Sequence, residues 1–118
     1  MTDTLLRPVV WMGSSRGDLA AMSKPVRGSF GIRLQELQRG KAVHDSKALP
    51  QLGAGVMELR ESYNKNAYRL MYVLKLKKAI YVLHVFMKKS KSGIGLPKPD
   101  SVTITARLKY AQKLDAES

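Results

Sequence analysis

The sequence predicts an α+β domain: an N-terminal helical hairpin packed on a small antiparallel sheet of four strands, followed by a C-terminal helix. Three observations carry this. Apolar residues recur at helical spacing between residues 15 and 39, alternate with period two between 55 and 88, and return to helical spacing after about 100. Connections of only a few residues between the central strands force antiparallel neighbours. With 118 residues and 44% hydrophobic composition, the chain can bury one core, and residues 1–118 read as a single domain without internal repeats.

Residues 5–12, LLRPVVWM, are apolar and β-branched. Pro8 lacks an N–H, so this strand lies at an edge or begins after the proline. Gly13-Ser14-Ser15 breaks it, and Ser14 or Ser15 caps a short helix over 15–22 with Asp18 in its first turn. The RGD at 16–18 reads as that helical turn, not as an adhesion motif. Pro25 suits the start of a second helix, where Val26, Phe30, Leu34 and Leu37 form a core stripe until Gly40 stops the helix after Arg39. Residues 40–55 read as a loop with a short extended piece near 47–50. Strands are expected at 55–61, 67–75 and 79–88, joined by SYNKN and KLKK. Asp100 or Ser101 then caps a last helix to about Leu114, with Ile104, Leu108 and Ala111 inward and Arg107, Lys109 and Lys113 toward water or a partner. The sheet face away from the hairpin is expected to be at least partly open.

Composition narrows the function. Cysteine is absent, which excludes disulfides and thiolate metal sites, and the two histidines, His44 and His84, show no metal-type spacing. No apolar run approaches the roughly 20 residues of a membrane span, and MTDTLLRPVV lacks the apolar stretch of a signal peptide, so a cytoplasmic location is the expectation. Against 9 acidic residues stand 21 Lys and Arg, a net charge of +12. Such an excess points to nucleic acid or an acidic protein partner, and no long basic amphipathic segment favours a membrane surface.

The basic residues converge on one face. Alternation puts Glu58 and Arg60 on one side of their strand, and Arg69 and Met71 on one side of the next. A two-residue turn at Asn64-Lys65 sets Arg60 opposite Arg69, and one at Leu76-Lys77 sets Arg69 opposite His84, with Phe86 two positions on. Opposed arginines repel unless an anion bridges them or Glu58 sits nearby. The strand end YVLHVFMKKSKS adds Lys88, Lys89 and Lys91. Guanidinium forks can bind phosphate and stabilise a pentacoordinate transition state, while Phe86 can stack on an unpaired base. His84 offers an imidazole to move the proton of a 2′-hydroxyl or a leaving oxygen. Each residue also has a structural reading: His84 and Phe86 as core, the lysines as a solvated strand end, and the arginines paired with Glu58 or Glu61.

These residues carry a resemblance. The string VMELRESYNKNAYRLMYVLKLKKAIYVLHVFMKKSKS, preceded by VVWMGSSRGDL and VRGSFGIRLQELQRGK, resembles the phage-derived HigB-like branch of the RelE/ParE toxin superfamily from about residue 8 to 114. The resemblance implies two helices on a four-stranded antiparallel sheet and a type II toxin: a ribosome-dependent endoribonuclease that cuts messenger RNA by attack of the 2′-hydroxyl. It further implies growth arrest, no metal, no small-molecule cofactor, and a cognate antitoxin with a helix-turn-helix domain. Arg69 of the YR motif then looks like the phosphate-stabilising arginine, Arg60 like a supporting cation, and Lys89 like a second phosphate-binding residue. Glu58 departs from RelE itself, which has a lysine there, and SKSGIG lacks the tyrosine that RelE carries after the basic strand end. His84 as proton carrier is an inference from its place on this face. Two other functions stay open: a ParE-like inhibitor of DNA gyrase, and a nucleic-acid-binding protein that does no chemistry.

Overall fold

The computed structural model describes residues 6–88 and 96–117. Among these, the order is β1 (Val9–Trp11), α1 (Ser15–Ala20), α2 (Lys24–Gln38), β2 (Ser46–Ala48), a 3-10 turn (Pro50–Leu52), β3 (Val56–Tyr63), β4 (Asn66–Val73), β5 (Ile80–Lys88) and α3 (Lys98–Glu117). The strands form one five-stranded mixed sheet in the order β1-β5-β4-β3-β2. The α+β class holds, and the expected four-stranded antiparallel sheet is corrected in two ways. β1 pairs in parallel with β5, because two helices and not a hairpin lead the chain away from it. β2, the extended piece expected near 47–50, pairs with β3 as a fifth strand.

Two hydrophobic clusters lie on opposite faces of the sheet. On one, Val26, Phe30, Leu34 and Leu37 of α2 pack on Leu59, Leu70, Tyr72, Ile80, Val82 and Val85. The α2 stripe is therefore core, as its spacing predicts. On the other, Ile104, Leu108 and Ala111 of α3 pack on Met71, Val73, Tyr81, Leu83 and Phe86. The face expected to be partly open is thus covered by α3 over β5 and over Met71 and Val73 of β4, and opens around Lys47, Arg60 and Arg69. α3 is also longer than the 100–114 expected, and Arg107 is not a water-facing residue. Its guanidinium donates to the Leu83 carbonyl at 2.9 Å and to Ser14 Oγ at 3.3 Å, so the helix is bound to β5 and to the start of α1.

The registers follow from two connections. Asn64 and Lys65 have φ of 53° and 67°, the left-handed pair of a two-residue hairpin turn whose twist matches its strands. This sets Arg60 opposite Arg69, as expected. The β4–β5 connection is longer than the two residues expected, spanning 74–79. Its irregular backbone is satisfied from both sides. Arg7 donates to the carbonyls of Leu74, Leu76 and Ala79, and the Asp115 carboxylate accepts from the N–H groups of Lys77 and Lys78. A register shift between Met71 and Tyr72 then places Met71 opposite His84 and Tyr72 opposite Val82, so Leu83 is the extra residue. Leu83 and His84 consequently both face α3. Arg69 therefore sits opposite Phe86, not His84.

Candidate nucleic-acid interface

Strand pairing arranges the open face in rows. One row runs Lys47 on β2, Glu58 on β3, Met71 on β4 and His84 on β5. The next runs Arg60, Arg69 and Phe86, and the third Ser62, Ala67 and Lys88. Arginines thus occupy the middle row at the centre of the sheet. Lys47 and Lys88 stand on either side at diagonal corners, giving four cations on four successive strands.

A cavity of about 530 Å³ opens on this face, lined by Lys47, Leu49, Gln51, Leu52, Glu58, Arg60, Arg69, Lys88, Leu96 and Ser101. The 3-10 turn supplies one wall. It is fixed by Gly53, whose φ of +140° suits glycine, and a Cβ there would meet Leu108 Cδ2 of α3 at 2.2 Å. The opposite wall is the start of α3.

The arginines are held differently. Arg69 Nε lies 3.0 Å from Glu58 Oε2 with both side chains mostly buried, at 13% and 9% exposure. Its Nε–H is not aimed along that contact, while Nη1 donates to the Tyr68 carbonyl at 3.2 Å. Arg60 is exposed, and among the described residues it makes no ion pair. Glu61, the other carboxylate considered for these arginines, faces the opposite side of β3. There it accepts from Arg33 Nη2 at 3.1 Å and from the Ser29 hydroxyl. Burial lowers the Arg33 pKa from its ordinary value, with Glu61 and Asp45 opposing the shift.

Of the residues expected in the site, Arg60, Arg69 and Lys88 come together around the cavity. Phe86 is 8% exposed and packs in the core under α3, so the base-stacking platform expected of it is corrected: the bulge and α3 bury the ring. His84 stacks on Phe86 with centroids 4.6 Å apart, and its Nε2 donates to Asp100 Oδ1 at 2.7 Å. That carboxylate fixes the tautomer, Nδ1 is buried without a hydrogen bond, and the ring does not line the cavity. Lys89 and Lys91 lie outside the described residues. Lys47, Gln51, Leu49, Leu52, Leu96 and Ser101 were not expected in the site. The segment supplying four of them has no apolar period, and the pairing of β2 with β3 brings it in. Among the described residues no group of three or more His, Cys, Asp or Glu side chains is placed to hold a metal ion. Nor is any helix there long and apolar enough to cross a membrane.

No curated protein and no solved structure matches the chain. A family model described as phage-derived protein Gp49-like (DUF891) matches residues 17–109. That span runs from within α1 into α3 and takes in the arginine row, the cavity walls and the Glu58 carboxylate beneath them. By the extent of this match, the chain belongs to the phage-derived Gp49-like family.

Proposed function

We propose that the protein is the toxin of a type II toxin-antitoxin system, an endoribonuclease that cuts messenger RNA on the ribosome. The observation that carries this is the Arg60–Arg69 pair, set face to face on the wall of an open cavity beside a buried carboxylate. Membership in the Gp49-like family, which is associated with toxin-antitoxin toxins, supports the same reading. The expected partners are a ribosome-bound message and an acidic segment of a helix-turn-helix antitoxin, restraining a chain of net charge +12.

The groups at hand suit cleavage by the RNA's own 2′-hydroxyl. Arg69 and Arg60 bind the phosphate and stabilise the charge that gathers on its oxygens as the 2′-oxygen attacks. Glu58 is the carboxylate in the cavity lining and the group suited to take the 2′-hydroxyl proton. The bond from phosphorus to the 5′-oxygen breaks, leaving a 2′,3′-cyclic phosphate and a 5′-hydroxyl. Lys47 and Lys88 are the ammonium groups in the lining that can protonate that oxygen. Lys89 keeps the phosphate-binding role its motif suggests. His84 serves as proton carrier in this scheme only when Asp100 releases it.

Tightly controlled expression with mapping of transcript ends tests the proposal. Growth arrest with cuts phased to codons is expected, and Arg69→Ala should slow cutting by roughly 100-fold or more. Continued growth with intact transcripts refutes it, and inhibition of purified gyrase without RNA cuts would replace it with the ParE-like reading. One observation favours a second reading: no histidine or tyrosine lines the cavity among the described residues, as suits a protein that binds RNA without chemistry. An uncut ribosome-bound message, with binding that falls steeply with salt, identifies that case.

A further inference from the structure

The arginine row is a wall shared by two cavities. The larger lies toward the Glu58 row, with an apolar floor of Leu49, Leu52 and Leu96 beside Gln51. The smaller, about 350 Å³, lies toward the Ser62 row and is lined by Asp45, Arg60, Glu61, Ser62, Ala67 and Arg69. Both volumes fall in the range of small-molecule sites, roughly 300–1,000 Å³. Successive rows on one face are about 6.6 Å apart. An anion on the arginine row therefore has a cavity on either side of it.

Resting on the RNA-binding reading above, we infer that the two cavities are nucleoside subsites flanking one phosphate, and that the smaller selects a base carrying an exocyclic amine. The larger cavity offers apolar side chains that accept the face of any base. The smaller offers carboxylates. Glu61 is fixed by Arg33 and Ser29, whereas Asp45 is exposed at the rim. Asp45 is held there in a left-handed conformation, φ 52°, and its carbonyl accepts from the Arg60 N–H at 3.3 Å. A carboxylate only accepts hydrogen bonds. Adenine and cytosine present an amine to it at the position where uracil presents a carbonyl oxygen, which it repels.

Equilibrium binding of the full chain to single-stranded tetranucleotides tests this. The central linkages carry 2′-deoxy sugars, so nothing can be cut, and adenine, cytosine or uracil is varied on each side of the central phosphate. Adenine or cytosine should bind about five- to tenfold more tightly than uracil at one of the two positions only. Asp45→Ala should erase that preference and Asp45→Asn should narrow it, with circular dichroism checking the fold of each. Equal binding of all sequences, no binding at millimolar concentration, or a preference that survives Asp45→Ala overturns the inference. Because nothing is cut in this experiment, an uncleaved ribosome-bound message sinks the nuclease reading without touching the subsites. A message cut without discrimination against uracil sinks the subsites alone.

Discussion

Replacing Arg69 with Gln should damage the fold as well as the site, and the structure says by how much. Glu58 is 7% exposed and its contact with Arg69 is 3.0 Å. Removing the guanidinium leaves a carboxylate charged, mostly buried and without its partner. Breaking a fully buried pair in this way costs roughly 3–5 kcal/mol. Residual exposure of both groups, and Arg60 two residues along the same face of β3, reduce this to about 2–3 kcal/mol. For a domain of this size, that corresponds to a fall in Tm of roughly 10 °C. The double variant Glu58→Gln/Arg69→Gln removes both charges with little change of volume and should recover most of the loss. Thermal melts by circular dichroism on parent, single and double variants measure the difference. The reasoning fails if Arg69→Gln melts within about 2 °C of the parent, or if the double variant melts no higher than the single.

Other expectations follow from the same packing. Asp115 accepts from Lys77, Lys78 and Tyr81; burial pulls its pKa up, but these contacts and the Lys78 charge hold it below the ordinary carboxylate value. A lowered folded pKa means stability present above the unfolded value of about 3.9 and lost as pH falls through the folded one. Asp115→Asn should therefore lower Tm at pH 7, and its gap from the parent should shrink below about pH 4; a gap independent of pH contradicts this. Phe86→Ala should cost about 3 kcal/mol in urea unfolding, as for other core rings, while Phe86→Leu keeps RNA binding near the parent level. Selective loss of RNA affinity in a stable Phe86→Leu variant would restore the ring as a stacking platform. Gly53→Ala, with φ of +140° and Leu108 in the way, should cost more than about 1 kcal/mol, and an unchanged urea midpoint would show that the turn relaxes freely.

What the sequence disclosed about this molecule divides along a physical line. The α2 stripe of Val26, Phe30, Leu34 and Leu37 and the inward face of α3 were legible because periodicity reports burial directly. The Arg60–Arg69 register was legible because Asn64-Lys65 is a short turn between alternating strands. What failed was the next register. The 74–79 connection has no two-residue turn chemistry, and the apolar run IYVLHVF shows no alternation that would reveal the extra residue at Leu83. The longer connection moved the register by one residue and the extra residue by another, which together set Phe86 opposite Arg69, and the extra residue turned both Leu83 and His84 toward α3. Lys47 and Asp45 were illegible for another reason: β2 is three residues long and joins the sheet by pairing, not by any pattern of its own.

The arginine pair stands in tension with the sheet that carries it. Like charges directly opposite each other destabilise paired strands. The sheet nevertheless commits both residues to this face, because a slip of one residue would bury them against α2 in place of Leu59 and Leu70. Glu58, one row along the same face, offsets one of the two charges and leaves Arg60 with none of the described carboxylates within ion-pair distance. An anion laid across the pair removes the remaining repulsion. Binding and folding therefore favour the same charge arrangement, and any ligand that occupies the row must stabilise the native state in proportion to its affinity. The same charge balance explains why a buried carboxylate sits beside the arginine pair. Without Glu58 the unliganded sheet would carry two uncompensated guanidinium groups face to face. With it, only Arg60 of the pair is left without a carboxylate among the described residues.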